Sequence, residues 1–180
     1  MDHKGDRMSR HKWTAIPQLP RAHYEIDVEW KDVERMLVSW GIESGLIDLI
    51  PDYQRAHVWT EAQRVAYIEY VLSGGEVGKS IAWNSPGWQV SGLGELELVD
   101  GKQRLEAVRS FIRGETKAFG LAYQSGDVLR FSNARMQWRV CSLATRAEVL
   151  QLYLNINAGG TPHTPDEIAR VRAMLAEVTS

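Results

Sequence analysis

The 180-residue chain is long enough for one domain with a single sizeable core and too short for two full domains with a linker. Hydrophobic residues at 44% and charged residues at 24% match ordinary soluble globular proteins, which excludes a disordered or fibrous chain. The formal charge of -2 excludes a general electrostatic pull toward nucleic acid, so any DNA contact must come from a local patch.

Residues 1–23 lack periodicity and end in the Pro17–Pro20 stretch, so they are expected to form a flexible lead-in to a single domain over 24–180. Lys4, Arg7, Arg10, Lys12 and Arg21 outnumber Asp2 and Asp6 there, a weak basic patch best read as a solvated start. From Asp27 the apolar positions Trp30, Val33, Met36, Leu37 and Trp40 recur at helical spacing, and Gly41 stands where that helix should stop. Leu46–Ile50 reads as a short strand closed by Pro51, followed by a loop to Trp59. Thr60 and Gln63 form a capping box that opens a second helix, running through Val65, Ile68 and Leu72 to Gly74 and Gly75.

Ser80–Trp83 and Leu96–Val99 read as strands on either side of a turn region. The second leads straight into Asp100 and Gly101, after which Leu105, Val108, Phe111 and Ile112 line one face of a helix ending at Gly114. A β excursion is expected over 119–141, turning at Gly126 or Asp127. Thr145 with Glu148 then caps a helix that should break before Asn157, and Thr164, Pro165 and Glu167 open a last one. Helices interspersed with a few short strands predict an α+β fold, a small mixed sheet with packed helices.

Cys141 is the sole cysteine, which rules out an intramolecular disulfide and fits a reducing, cytoplasmic setting. Its strand-like context predicts a buried structural thiol. No apolar run has the length of a membrane span and no signal-peptide stretch precedes the domain, so no membrane partner is expected. The histidines show no metal-ligand spacing, which argues against zinc. Ser73–Ser80 nearly spells a P-loop, but it follows a helix and leads into a strand, the reverse of the context a P-loop requires.

The chemistry concentrates at Asp100–Arg104. A strand feeding a glycine and then a helix presents backbone N–H groups at the positive end of the helix dipole, a ready anion site. Arg104, one turn in, adds a planar grip on phosphate oxygens, and Asp100 is placed to hold a Mg2+ ion bridging phosphates. By geometry alone an ordinary helix capped by Asp100 competes evenly with this reading.

Three motifs tip the balance. Val99-Asp100-Gly101-Lys102-Gln103-Arg104-Leu105 resembles the DGQQR motif of the ParB/sulfiredoxin-like branch found at the N-terminus of GmrS-type restriction enzymes and related phage-defence proteins. Ile50–Trp59, with its proline, Gln54-Arg55 pair and aromatic end, resembles that branch's loop signature, and Leu154–Pro162 its asparagine-containing segment. Gly101, Arg104 and Ala107 also fall on the Gly-x-x-Arg-x-x-Ala pattern of ParB proteins.

The resemblance implies a ParB/sulfiredoxin-like fold and a nucleotide site, with nucleoside triphosphate as ligand or substrate and Mg2+ as cofactor. It implies catalytic duties for Asp100, Gln103 and Arg104, with Gly101, Lys102, Gln54, Arg55, Asn155 and Asn157 binding phosphate or nucleotide. Lys102 stands where the first glutamine is usual, leaving a phosphate contact and a solvent-facing side chain both open. His57 and Trp59 are candidates for stacking on a base, Trp59 more readily for a hydrophobic staple against the following helix, and His163 is a weak candidate of any kind. The fused HNH-type nuclease of such enzymes is absent from these residues, so its cleavage activity is not expected here. The expected function is Mg-assisted triphosphate hydrolysis or phosphoryl transfer in a DNA-associated setting. DNA nicking at the same site is one alternative, and a non-enzymatic nucleotide- or DNA-binding module acting on a separate effector chain is another.

Overall fold

In Tyr24–Glu29 the apolar Tyr24, Ile26 and Val28 alternate with acidic Glu25, Asp27 and Glu29, which is strand periodicity, and in the computed structural model this segment is strand β1. The structure describes residues 20–54, 59–91, 95–124, 134–158 and 165–179. The helix expected from Asp27 therefore starts later: a 3-10 turn, Trp30–Asp32, leads into α1, Val33–Ser39. The period-two stretch wins because it pairs antiparallel with β7, Arg135–Cys141, in a register from Tyr24 opposite Val140 to Glu29 opposite Arg135. Arg139 pairs with Glu25 directly opposite at 3.2 Å, and Arg135 reaches diagonally to Asp27 at 3.7 Å.

The main sheet has five strands in the order β1-β7-β3-β4-β2, with β2 at Ile47–Asp48, β3 at Ser80–Asn84 and β4 at Leu96–Asp100. It is mixed: β3 runs parallel to β7 and β2 parallel to β4, whereas β3–β4 and β1–β7 are antiparallel. Helices α2 (Glu61–Leu72), α3 (Trp88–Ser91), α4 (Lys102–Ile112), α5 (Arg146–Ala158) and α6 (Pro165–Thr179) complete an α+β domain, as expected. The region between β3 and β4, anticipated as turn alone, contains α3. Lys117–Ala118 and Leu121–Ala122 form a separate hairpin, β5–β6, while the anticipated turn at Gly126 or Asp127 lies outside the described residues.

Strand alternation divides the core between the two faces of the sheet. Ile81, Trp83, Leu98, Met136 and Trp138 pack with Leu37, Ile68, Leu105 and Phe111 from α1, α2 and α4. Val99 and Cys141 belong to a second cluster with Tyr53, Leu150, Tyr153 and Val171 from the preceding loop, α5 and α6. Both caps of α2 and α5 form as read: Thr60 and Gln63 exchange both hydrogen bonds of the box, and Glu148 accepts from the Thr145 backbone at 3.0 Å. α5 does not break before Asn157. The Asn157 amide donates to the Tyr153 carbonyl at 2.7 Å, so the side chain that usually competes with helical backbone is satisfied one turn back. Pro165 opens α6, and Thr164 lies outside the described residues.

Candidate functional site

β4 delivers Asp100 to the sheet's end, and the chain then turns through Gly101 into α4. Gly101 is the helix N-cap and has φ 100°, a left-handed conformation that favours glycine. A Cβ there would also stand 2.5 Å from Ile81 Cδ1 and 3.3 Å from Arg104 Nη2, so both backbone and space demand glycine. Asp100 is accordingly a strand residue and not the N-cap, which removes the ordinary capping explanation for its carboxylate. That carboxylate instead accepts from Arg104 Nη2 at 2.5 Å.

Arg104 keeps about a quarter of its side chain exposed, 24%, yet its Nε is buried and has no hydrogen-bond partner among the described residues. An unmade bond of this kind costs about 1–3 kcal/mol, more for a charged group, so this nitrogen's burial is a cost to the fold. Nearby, burial pushes the Tyr67 phenol up to about 12 against the opposing pull of the Arg104 charge, so it stays neutral, donating to the Gly78 carbonyl at 3.1 Å.

A half-open pocket of about 130 Å³ lies over this turn, lined by Gln54, Trp59, Val99, Asp100, Gly101, Lys102, Gln103, Arg104, Tyr153 and Asn157. It is smaller than the roughly 300–1,000 Å³ of clefts that enclose a drug-sized ligand, and its size and polarity suit a phosphate-sized group. The structure thus gathers Gln54, Asp100, Gly101, Lys102, Gln103, Arg104 and Asn157 around one space. Asn155 is not among them: its Oδ1 accepts from Gln151 Nε2 at 3.0 Å on another side of α5. Arg55 and His57, with His163, lie outside the described residues. Tyr153 was missed in the sequence, although its place one turn before Asn157 puts it on the same helix face.

Two glutamines fasten the Pro51–Trp59 loop to this turn. The Gln54 amide donates to the Leu98 carbonyl on β4, and Gln103 Oε1 accepts from the Trp59 backbone N–H at 2.8 Å. Gln103, expected among the catalytic groups, therefore spends its acceptor on holding the loop. The Trp59 ring packs on Tyr67 with centroids 5.3 Å apart, a staple one turn further along α2 than the usual position.

Among the described residues no three or more His, Cys, Asp or Glu side chains gather as a metal site, and Asp100 is the one carboxylate among those lining the pocket. Such a donor set fits Mg2+ arriving with its phosphates, since that ion commonly takes one or two carboxylates and fills its shell with phosphate oxygens and water. The near P-loop runs from the end of α2 into β3, and Lys79 pairs with Glu76 at 3.0 Å, outside the pocket. Cys141 is buried, and that burial raises its pKa, as a structural thiol requires.

The family model of the GmrSD restriction endonuclease N-terminal domain matches residues 39–139, more than half the chain. The protein belongs to this family, which sets it in a DNA-restriction context. Comparison with curated proteins and with solved structures gives no match. The matched span contains the loop and the β4–α4 turn but stops before Tyr153 and Asn157. No helix among the described residues is long and apolar enough to cross a membrane.

Proposed function

We propose that the pocket at the β4–α4 turn binds the phosphates of a nucleoside triphosphate and promotes Mg-assisted hydrolysis or phosphoryl transfer in DNA restriction or phage defence. The observation that supports this most is the strand–glycine–helix turn carrying Arg104, with its buried Nε unpartnered among the described residues. The resemblance to ParB-like DGQQR proteins gives the same residues the same ligand class.

Arg104 balances phosphate charge, and the first-turn N–H groups that follow Gly101 supply backbone donors. Lys102 adds charge, Asn157 lines the pocket from α5 with its amide on the Tyr153 carbonyl, and Arg55 is assigned a second clamp on the resemblance alone. Gln54 and Gln103 keep the loop closed on the turn. Bound Mg2+ would supply charge neutralisation of the terminal phosphates, with Asp100 as its protein ligand. In hydrolysis, water forms a bond to the terminal phosphorus while the bond to the bridging oxygen breaks. The diphosphate leaves, and Asp100 or a phosphate oxygen takes the water's proton.

Incubation with triphosphates across a Mg2+ titration, read as released phosphate, tests this reading. Family membership is compatible with a second one, phosphodiester cleavage of DNA in the same pocket. Plasmid nicking without triphosphate turnover would select it, and triphosphate binding with neither activity would select a regulatory module acting on a separate effector chain.

A further inference from the structure

The loop that walls the pocket is held by residues beyond the family match. Arg170 on α6 donates from Nη2 to the Tyr53 carbonyl at 3.1 Å and to the Gln54 carbonyl at 3.2 Å. Its neighbour Val171 is buried, 1% exposed, in the cluster that also holds Tyr53 and Tyr153, so the stem of Arg170 starts from a fixed point. The loop's side chains are anchored separately. Arg146 on α5 pairs with Asp52 and, at 3.5 Å, with Glu97, and lies 4.6 Å from the Tyr53 ring centre. Tyr53, itself fully buried, donates to Glu97 at 3.3 Å.

We propose that Arg170 is a positioning residue for the phosphate pocket: it fixes the Tyr53–Gln54 backbone and so sets where the Gln54 side chain stands. Gln54 is then held at both ends, its carbonyl by Arg170 and its amide on Leu98. A guanidinium suits this task because its planar, permanently charged fork satisfies two neighbouring carbonyls from one nitrogen's N–H groups. The inference rests on the reading that this pocket binds phosphate, and it implies that the span 39–139 does not set its own site.

Calorimetry of the full chain with Mg2+ and a non-hydrolysable nucleoside triphosphate analogue, run well below each variant's Tm, tests it. R170Q should weaken the analogue by roughly tenfold, and R170K, which keeps the charge and the donors but not the planar guanidinium, should recover part of the loss. R172Q, an exposed neighbour on α6, should bind like wild type. The double variant R170Q/Q54A should be no weaker than the weaker single variant, because both act through one side chain. A folded R170Q with wild-type affinity, or additive effects in the double variant, would overturn the proposal and leave the phosphate reading standing. Absence of analogue binding by the wild type would overturn both. Should R170Q fail to fold, R170K decides: wild-type affinity there also overturns the proposal, because a rotating ammonium on a flexible stem lacks the fixed planar geometry by which the guanidinium is proposed to set the loop.

Discussion

At Asp100 two duties compete. A carboxylate beside phosphate oxygens repels them unless it holds a cation, and here Arg104 neutralises it at 2.5 Å. Since Gly101 caps the helix, Asp100→Asn costs no cap and should leave the fold intact. If Asp100 serves Mg2+ or the attacking water, the Asn variant should still bind triphosphate and should lose most turnover. Overlapping curves of phosphate release against Mg2+ for the two proteins would take Asp100 out of the chemistry. Lys79 is the contrasting case. Its ammonium pairs with Glu76 in a helix-to-strand connection away from the pocket, so Lys79→Ala should change triphosphate affinity by less than about twofold. An affinity loss as large as that of Arg104→Ala would reveal a second phosphate site there.

Elements rather than residues decide whether the loop and the turn meet. Gln103 sits in the first turn of α4 and takes the N–H of Trp59, the residue before the cap of α2, so one side chain ties two helix starts together. Gln103→Ala should lower stability by about 1 kcal/mol in urea unfolding and weaken triphosphate binding by less than tenfold. A collapse of turnover with binding retained would return Gln103 to the catalytic role the resemblance gives it. Much of this level was legible in the sequence. The box of Thr60 and Gln63, the strand into Asp100–Gly101 and the stop at Gly114 are local signals, and local signals decided those elements. The start at Asp27 was misread because helical spacing from Trp30 was extended back over a strand whose pairing partner, β7, lies over a hundred residues away in sequence. Arg170 was invisible as a site residue for a similar reason: only the packing of α5 and α6 on the second face of the sheet brings it to the loop.

Over the whole molecule, long-range ion pairs close the fold around the sheet. Glu34 on α1 accepts from Arg109 on α4 at 2.8 Å and pairs with Arg113 at 3.0 Å. Burial alone would raise the Glu34 pKa, but hydrogen bonds and charge from Arg109 and Arg113 outweigh it and hold the carboxyl below the usual glutamate range. A folded value below the unfolded one gives stability that is present above the unfolded pKa, about 4.3, and is lost as pH falls through the lowered folded value. Glu34→Gln should thus cost on the order of 1 kcal/mol at neutral pH, with the gap from wild type closing in acid. Urea unfolding at both pH values reads this, and an equal gap at both would assign the loss to packing instead. The central claim, that the β4–α4 turn is a phosphate-handling site, is tested most directly by phosphate release from Mg-triphosphate by wild type and Arg104→Ala. The account predicts turnover by the wild type, and for the variant, folded with an unchanged circular dichroism spectrum, a loss of at least roughly tenfold, as expected for removing a charge-assisted contact. Equal phosphate release by the two proteins would contradict it.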